Sequence, residues 1–476
     1  MKNRNSQLSS INNNSFCKDA SENLSKVYNL FAENNDLKTR TVVSKNGKQY
    51  IILYIDEVVD RISLQKFVIL PITLSDNAPI DSCHNAAEIR YPTSPEEAAN
   101  LACMGCAILF TPNGEVEALA FRKDPKESGK ESSPENIVLG PHERFGNSSK
   151  SNLALLRTRI RNPSLAIKEY PVGSETMSTV LICYIDGITD KKVVQAAERR
   201  VFSCIGKDVK STSEFLELFK EDSISPFPQY ITSERPDRVS GALLHGNIAI
   251  ITEGSPWVII APVSFSDFLK SPEDSHWPWI YASFIRVLRW ISIAIAIITP
   301  ALYVAVMSFH PGLLPIKLML SAASGRSGVP FPAIAEVIIM EIFVELLREA
   351  STSMPSNVSS TISLVGGIII GETAISAGLA SPLLVIIVAI SAITSFTIPV
   401  YSMVISLRTV RFFSLILASF FGFFGLVLSL IFIILHMVSL KSLGREYLFP
   451  LSPMRPKRWK RDILKFPLRW IKEQRK

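Results

Sequence analysis

The sequence has little of what metal or redox chemistry uses. Six histidines (His84, His142, His245, His276, His310 and His436) are scattered over 476 residues, none at the short spacing that ligates a metal. Six cysteines (Cys17, Cys83, Cys103, Cys106, Cys183 and Cys204) follow no framework spacing. Cys103-Met-Gly-Cys106 is nominally a CxxC. It has no second pair and lies in the apolar run Leu101–Phe110, so it reads as two buried small hydrophobes. There is no Gly-x-x-x-x-Gly-Lys phosphate loop, no Gly-x-Ser-x-Gly elbow and no His-Glu-x-x-His helix. These absences argue against an enzyme, and no cofactor or metal is expected. The polar start, Met1-Lys-Asn-Arg-Asn and then Asn- and Ser-rich sequence, lacks the apolar core of a signal peptide. The N-terminal part is therefore expected on the cytoplasmic side.

What is present is unevenly spread. Residues 1–285 are rich in Lys, Asp, Glu, Pro and Asn, whereas apolar runs dominate beyond Arg286. They are Trp290–Met307, Ile362–Leu379, Leu383–Ile405 and Phe412–Leu440, each near or above the roughly 20 residues that cross a ~30 Å hydrocarbon layer. The net charge of +7 is concentrated at the end, where twelve Lys and Arg residues follow from Lys441. Next to a final apolar run, that excess is a topology signal rather than a nucleic-acid site. The expected fold class is a duplicated α/β soluble N-terminal region followed by an all-α polytopic membrane domain. Its expected parts are a disordered polar N-terminus (1–40), two α/β modules (41–150 and 151–285), a membrane domain (286–440) and a basic cytoplasmic tail (441–476).

The duplication is visible directly. Tyr50–Asp60 reads YIILYIDEVVD and Val180–Asp190 reads VLICYIDGITD, so Asp56 pairs with Asp186 and Asp60 with Asp190 at one offset. Later in each half a glycine (Gly105, Gly246) precedes an apolar strand-turn-strand pattern. Strand runs alternating with helical patterns argue for one module used twice. Paired aspartates invite an acid–base reading. A residue recurring once per module at the end of a strand fits a turn or helix cap better.

Longer strings carry a family resemblance. Asn152-LALLRTRI, Ser225-PFPQYITSERPDRVSGALLHGNIAIITEGSP, Pro330-FPAIAEVIIMEIFVELLREA and Ser395-FTIPVYSMVISLRTVRF resemble the A subunits of spore germinant receptors, the GerA family, as does Leu435-HMVSLKSLGREYLFPLSP. That family also includes a related sporulation membrane protein. The resemblance implies a part in nutrient-triggered germination at the inner membrane of a bacterial endospore. It further implies a permease-like B subunit and a lipoprotein C subunit as partners, alongside membrane lipid and further copies of the chain. Where the family usually has Gly-Gln, this sequence has Gly371-Glu372.

Two features of the apolar half suggest function. With residues 100° apart on a helix over Pro330–Ala350, Glu341, Glu345, Arg348 and Glu349 share one arc, while Glu336 lies with Met340, Phe343 and Leu347 on the other face. Either this is an interfacial amphipathic helix near 332–350 or its acidic stripe faces an aqueous path shared between subunits. Glu372 sits within an apolar run, where a charge costs about 2.5–3.5 kcal/mol, so it is expected to pair or to line a route for ions. Arg348 is its candidate partner. Head and tail on one side require an even number of crossings, and four spans satisfy this while leaving Arg408 and Arg411 outside. A hairpin in Phe412–Leu440 would place them inside, but that run is short for two spans; five or six crossings stay open. The function expected is a germinant-receptor subunit that transduces a signal and can form an ion path. The alternatives are a secondary transporter, disfavoured because the repeat lies in the soluble part, and a scaffold subunit.

Overall fold

The computed structural model describes residues 15–74, 88–123, 143–208, 212–353, 366–367, 369–453 and 463–466. The chain divides into two compact units, Met1–Glu221 with Tyr230–Val263, and Asp222–Gln229 with Ser264–Lys476.

The first unit holds both modules. Helix α1 (Ala20–Tyr28) starts at Asp19, whose side chain accepts from the Ser21 amide. Its Val27 is fully buried, with Leu24 and Phe31 packed on the same core. The expected disordered stretch 1–40 is thus corrected from Asp19 onward: three apolar residues at helical spacing bury enough surface to order a polar segment. Strands β1 (Leu37–Val43) and β2 (Gln49–Ile55) form a hairpin. A helical run, α2, follows in three pieces, Arg61–Leu64, Gln65–Ile69 and Leu70–Leu74. Then come β3 (Ile89–Arg90), α3 (Pro95–Cys103), β4 (Cys106–Phe110) and β5 (Val116–Ala120). The second module repeats this with α4 (Ser149–Arg159), β6 (Leu165–Val172), β7 (Ser178–Ile185), α5 (Lys191–Cys204), α6 (Thr212–Phe219), β8 (Ile231–Ser233), α7 (Pro236–Leu244), β9 (Ile248–Thr252) and β10 (Val258–Ala261).

The sheets run β1-β2-β4-β5-β3 and β6-β7-β9-β10-β8, the same order strand for strand. Every pair is antiparallel. In each sheet the edge strand and the central strand after it point the same way, joined by a helix and separated by one strand: β3-α3-β4 around β5, and β8-α7-β9 around β10. Unalternating apolar runs such as Cys106–Phe110 usually mark parallel sheets. Here they report two-sided burial instead. Leu53, Ile55, Ile108 and Phe110 pack with α1 and α3, while Ile52, Ala107, Leu109 and Leu119 pack with α2 on the other face.

The repeated residues do the same jobs twice. The Asp56 amide donates to Asp36 O (3.0 Å) and the Asp186 amide to Ser164 O (2.9 Å), just past β2 and β7. Asp60 and Asp190 cap the next helices, accepting from Ile62 N (3.1 Å) and Lys192 N (2.9 Å). The Asp56 carboxylate pairs with Arg61, whereas Asp186 is exposed. Gly105 and Gly246, with φ of +95° and +87°, end α3 and α7 in the left-handed conformation that glycine adopts most readily.

The second unit is helical, with α8 (Trp279–Phe309), α9 (Ile316–Arg326), α10 (Ala333–Ser353), helical residues at 366–367 and 369–376, α11 (Pro382–Phe396) and α12 (Tyr401–Ser439). A small hairpin, β11 (Lys441–Ser442) and β12 (Arg445–Glu446), follows. Helices α8 and α12 are each long and apolar enough to cross a membrane. The apolar run Leu383–Ile405 is not one helix: it breaks over 397–400, at Pro399, and its last residues begin α12.

Nor is α12 straight. Gly422 leaves helical geometry (φ +59°, ψ −133°) between helical arms of 21 and 17 residues. A Cβ on Gly425 would fall 2.0 Å from Leu417 O, although residues eight apart on a straight helix are separated by about 12 Å. The chain therefore reverses at Gly422, a position walled by Phe309, whose ring a Cβ there would meet at 2.9 Å. The arms are about 31 and 25 Å long at 1.5 Å per residue. The hairpin judged too short within Phe412–Leu440 has room because it starts at Tyr401.

Candidate functional site

Seven charged residues of the helical unit gather in three sets between helices. In the first, Glu336 of α10 is fully buried. Its Oε1 accepts from the Ser381 amide (2.5 Å), its Oε2 from the Tyr303 hydroxyl (3.2 Å), and Arg326 Nε lies 3.4 Å away. The Tyr303 and Ser381 hydroxyls are themselves 3.0 Å apart. Ser381 is the N-cap of α11, so a carboxylate sits against the positive end of that helix.

In the second set Arg411 Nη1 lies 3.3 Å from Glu341 Oε1 and donates to Ser391 Oγ (2.5 Å). Ser391 Oγ in turn donates to Ala296 O (3.4 Å). Glu341 and Arg411 are 3% and 4% exposed, so each charge depends on the other. In the third set Glu345 accepts from Arg408 Nη1 (2.6 Å) and Arg348 Nη1 (3.3 Å). These two guanidiniums lie over the rings of Tyr401 and Phe396 respectively.

The sets fix helix direction. Ala296, Glu341, Ser391 and Arg411 share one level, and Tyr303, Glu336 and Ser381 share another. Leu415 and Ala374 cluster with Tyr303 at the second level, while Gly366 lies against Leu347, beyond the first. From the first level to the second run α8, the 369–376 helix and the first arm of α12; α10, α11 and the second arm of α12 return. Among the described residues six helical segments, α9 apart, therefore alternate in direction, and α10 runs alongside α8 and α11 as one of them.

The five sequence-selected residues do not act together. Glu341 is buried in its ion pair, whereas Glu345 pairs with Arg348 and Arg408 while its side chain stays 44% exposed. Glu349 is exposed at the far end of α10, and Glu372 is exposed in mid-helix. Arg348 takes Glu345 rather than Glu372, which corrects the expected pairing. Three apolar-half residues with a central place, Arg326, Arg408 and Arg411, were not selected as site residues. Two of them showed as a topology conflict, and Glu336 showed as a charge on the apolar face of its helix. A further outward polar face lies on the 369–376 helix, where Glu372, Thr373 and Ser376 are exposed at adjacent helical positions. Among the described residues no group of His, Cys, Asp or Glu gathers as a metal site.

Two antiparallel-sheet modules of one topology, with a helical unit built around internal ion pairs, define a class of apolar-helix protein with a duplicated soluble head. The chain matches the Bacillus/Clostridium GerA spore germination protein family over residues 25–476, and it belongs to that family. It is 32% identical over 450 residues to spore germination protein GerLA of Bacillus cereus, covering 92% of each chain. It is 33% identical over 453 residues to spore germination protein A1 of Bacillus subtilis, covering 94% of each. Among solved structures, the N-terminal domain of the A subunit of the Bacillus megaterium spore germinant receptor GerK3 aligns with 53% of this chain and 97% of that one, at 24% identity and a TM-score of 0.42.

Proposed function

We propose that this protein is an A-type subunit of a spore germinant receptor, embedded in the inner spore membrane with its head and basic tail on the core side. It works with a permease-like subunit and a lipoprotein subunit, and several copies together form a path for ions. The role in germination is supported by end-to-end relatedness to spore germination proteins at about a third identity. The domain limits proposed are the two modules, the six-segment helical unit and the tail. An even number of segments agrees with head and tail on one side.

One observation carries the ion path. Glu372 is exposed on an apolar helix of a single chain, an arrangement too costly to leave against lipid. A second copy that turns the same helix inward would place Glu372, Thr373 and Ser376 around shared water, where a ring of carboxylates attracts cations. On this reading Glu341 and Glu345 tie helices together through ion pairs and are not pore groups.

The role itself is tested by deleting the gene and following nutrient-triggered loss of refractility in single spores. Spores lacking it are expected to lose the response to at least one nutrient class and regain it on complementation. A full response to every nutrient in a broad panel would count against the receptor assignment.

A further inference from the structure

The two modules differ at one edge. In each sheet the first strand, β1 or β6, has a neighbouring strand on one side only. The Asp56 amide donates to Asp36 O and the Ser44 amide to Lys48 O, so the hydrogen-bonded pairs with β2 fall on the even-numbered residues of β1. The amides and carbonyls of Thr39, Thr41 and Val43 therefore point away from the sheet, and none has a partner among the described residues. All three residues are exposed. The same row on β6 is closed. Ile167 O accepts from the Asn35 amide (3.2 Å) and the Ile167 amide donates to Glu33 O (2.9 Å), a parallel pairing. Pro171, further along β6, has no amide to offer. Beside this contact the Glu33 carboxylate pairs with Lys168 of β6.

Register makes the two edges comparable residue by residue. Leu37 lies opposite Ile55 and Leu165 opposite Ile185, so Thr39 matches Ile167, Arg40 matches Lys168 and Val43 matches Pro171. The first module thus leaves open the position that the second fills with an extended, carboxylate-bearing segment. Its charge suits the same kind of occupant. Lys38, Arg40, Lys45 and Lys48 are all exposed, and no acidic residue lies from Leu37 to Ile55. None of the four cations has an ion pair among the described residues. Lys38 and Arg40 alternate onto the face where Val42 packs with α2. Two such edges repel each other. A second copy docking repeat on repeat would bring Arg161, the counterpart of Glu33, against Arg40.

We infer that the outer edge of β1 is a docking site for an extended acidic segment of a partner protein. The segment adds as a strand along Thr39–Val43 and sets carboxylates at alternate positions beside Lys38 and Arg40. Main-chain bonds to Thr39, Thr41 and Val43 hold it, and the cations select its charge. The site lies wholly in the first module and does not depend on the ion path proposed above.

The test uses the full chain in phosphatidylcholine nanodiscs and a short fluorescein-labelled peptide of alternating glutamate and valine, followed by fluorescence anisotropy. A peptide of alternating lysine and valine is the control. The glutamate peptide is expected to bind at least about tenfold more tightly than the lysine peptide. Arg40→Gln should weaken it about fivefold, the upper range for one opposite-charge cross-strand pair. Arg40→Glu should bring the two peptides close to equal affinity. Thr41→Pro removes an outward amide that β2 does not use, so hydrogen exchange across β2 should stay as it is while binding of the glutamate peptide is lost. Val43→Pro copies Pro171 and serves as the second variant if Thr41→Pro disturbs the sheet. Equal affinity for the two peptides in the unmodified chain overturns the inference, as does no binding of the glutamate peptide. Binding that neither proline variant weakens also overturns it, and assigns the cations to a general anionic surface instead of a strand.

Discussion

Arg157 has no exposed surface, yet its guanidinium is fully engaged across the two modules. Nε and Nη2 donate to the Asp36 carboxylate (2.9 and 3.0 Å), and Nη2 also reaches Asn34 Oδ1 and Leu165 O, each at 3.1 Å. Beside it, residues 33–35 exchange backbone bonds with Ile167 of β6. Removing one partner of such a pair leaves a buried charge unmatched, which costs about 3–5 kcal/mol. Arg157→Ala should therefore cost the head about that much and raise hydrogen exchange across residues 32–36 and 165–172. The double change Arg157→Met with Asp36→Leu should cost less than Arg157→Ala alone; an equal or larger loss would mean the pair is net stabilising. The cysteines show a second residue-scale consequence. Burial pushes the Cys103 thiol up to about 11 and Cys183 up to about 12. Because the raised values keep the reactive thiolate scarce at pH 8, iodoacetamide should spare both in the native chain and modify both in denaturant. Rapid native modification of Cys103 would reopen a chemical role for the CxxC. That motif, the capping aspartates and the glycines were legible from spacing and local composition. The ion pairs were not, because partners such as Glu341 and Arg411 lie 70 residues apart and spacing along one helix says nothing about the facing one.

Among the elements, the α12 hairpin departs furthest from the sequence reading. Apolar length suggested one span, and the 29-residue window hid a reversal that draws its first residues from the preceding run. The signal was the pair Arg408 and Arg411, stranded on the wrong side by any straight helix. Gly422 makes the turn possible at φ +59°, where a side chain is strained and would also strike Phe309. Single cysteines at Phe424 and Lys441 should then be labelled by an impermeant maleimide from opposite sides of the membrane, with Tyr401 on the side of Lys441. A straight helix would put Tyr401 and Lys441 on opposite sides. Gly422→Leu should lower the amount of protein in the membrane, since it adds both strain and a clash at the bend. In the soluble part, the strand–helix order and the duplication could be read from the sequence. Strand direction could not, because burial on both faces gives the same apolar runs in parallel and antiparallel sheets.

At the scale of the whole molecule, the soluble repeat and the alternating helical unit belong to one family that matches nearly the entire chain. The proposed account separates two kinds of acidic residue that the sequence placed together. Glu336, Glu341 and Glu345 hold helices to one another, and Glu372 is exposed on its helix. Glu341→Gln should leave Arg411 buried without its counter-charge and reduce the abundance of the protein in spores. Glu372→Gln removes no ion pair or hydrogen bond among the described residues and should leave abundance unchanged. The most direct measurement is therefore germinant-triggered release of monovalent cations from spores carrying Glu372→Gln, with the amount of the protein in the spore membrane determined in parallel. The account predicts normal abundance and release slowed severalfold. Normal abundance with release indistinguishable from that of unmodified spores would contradict it.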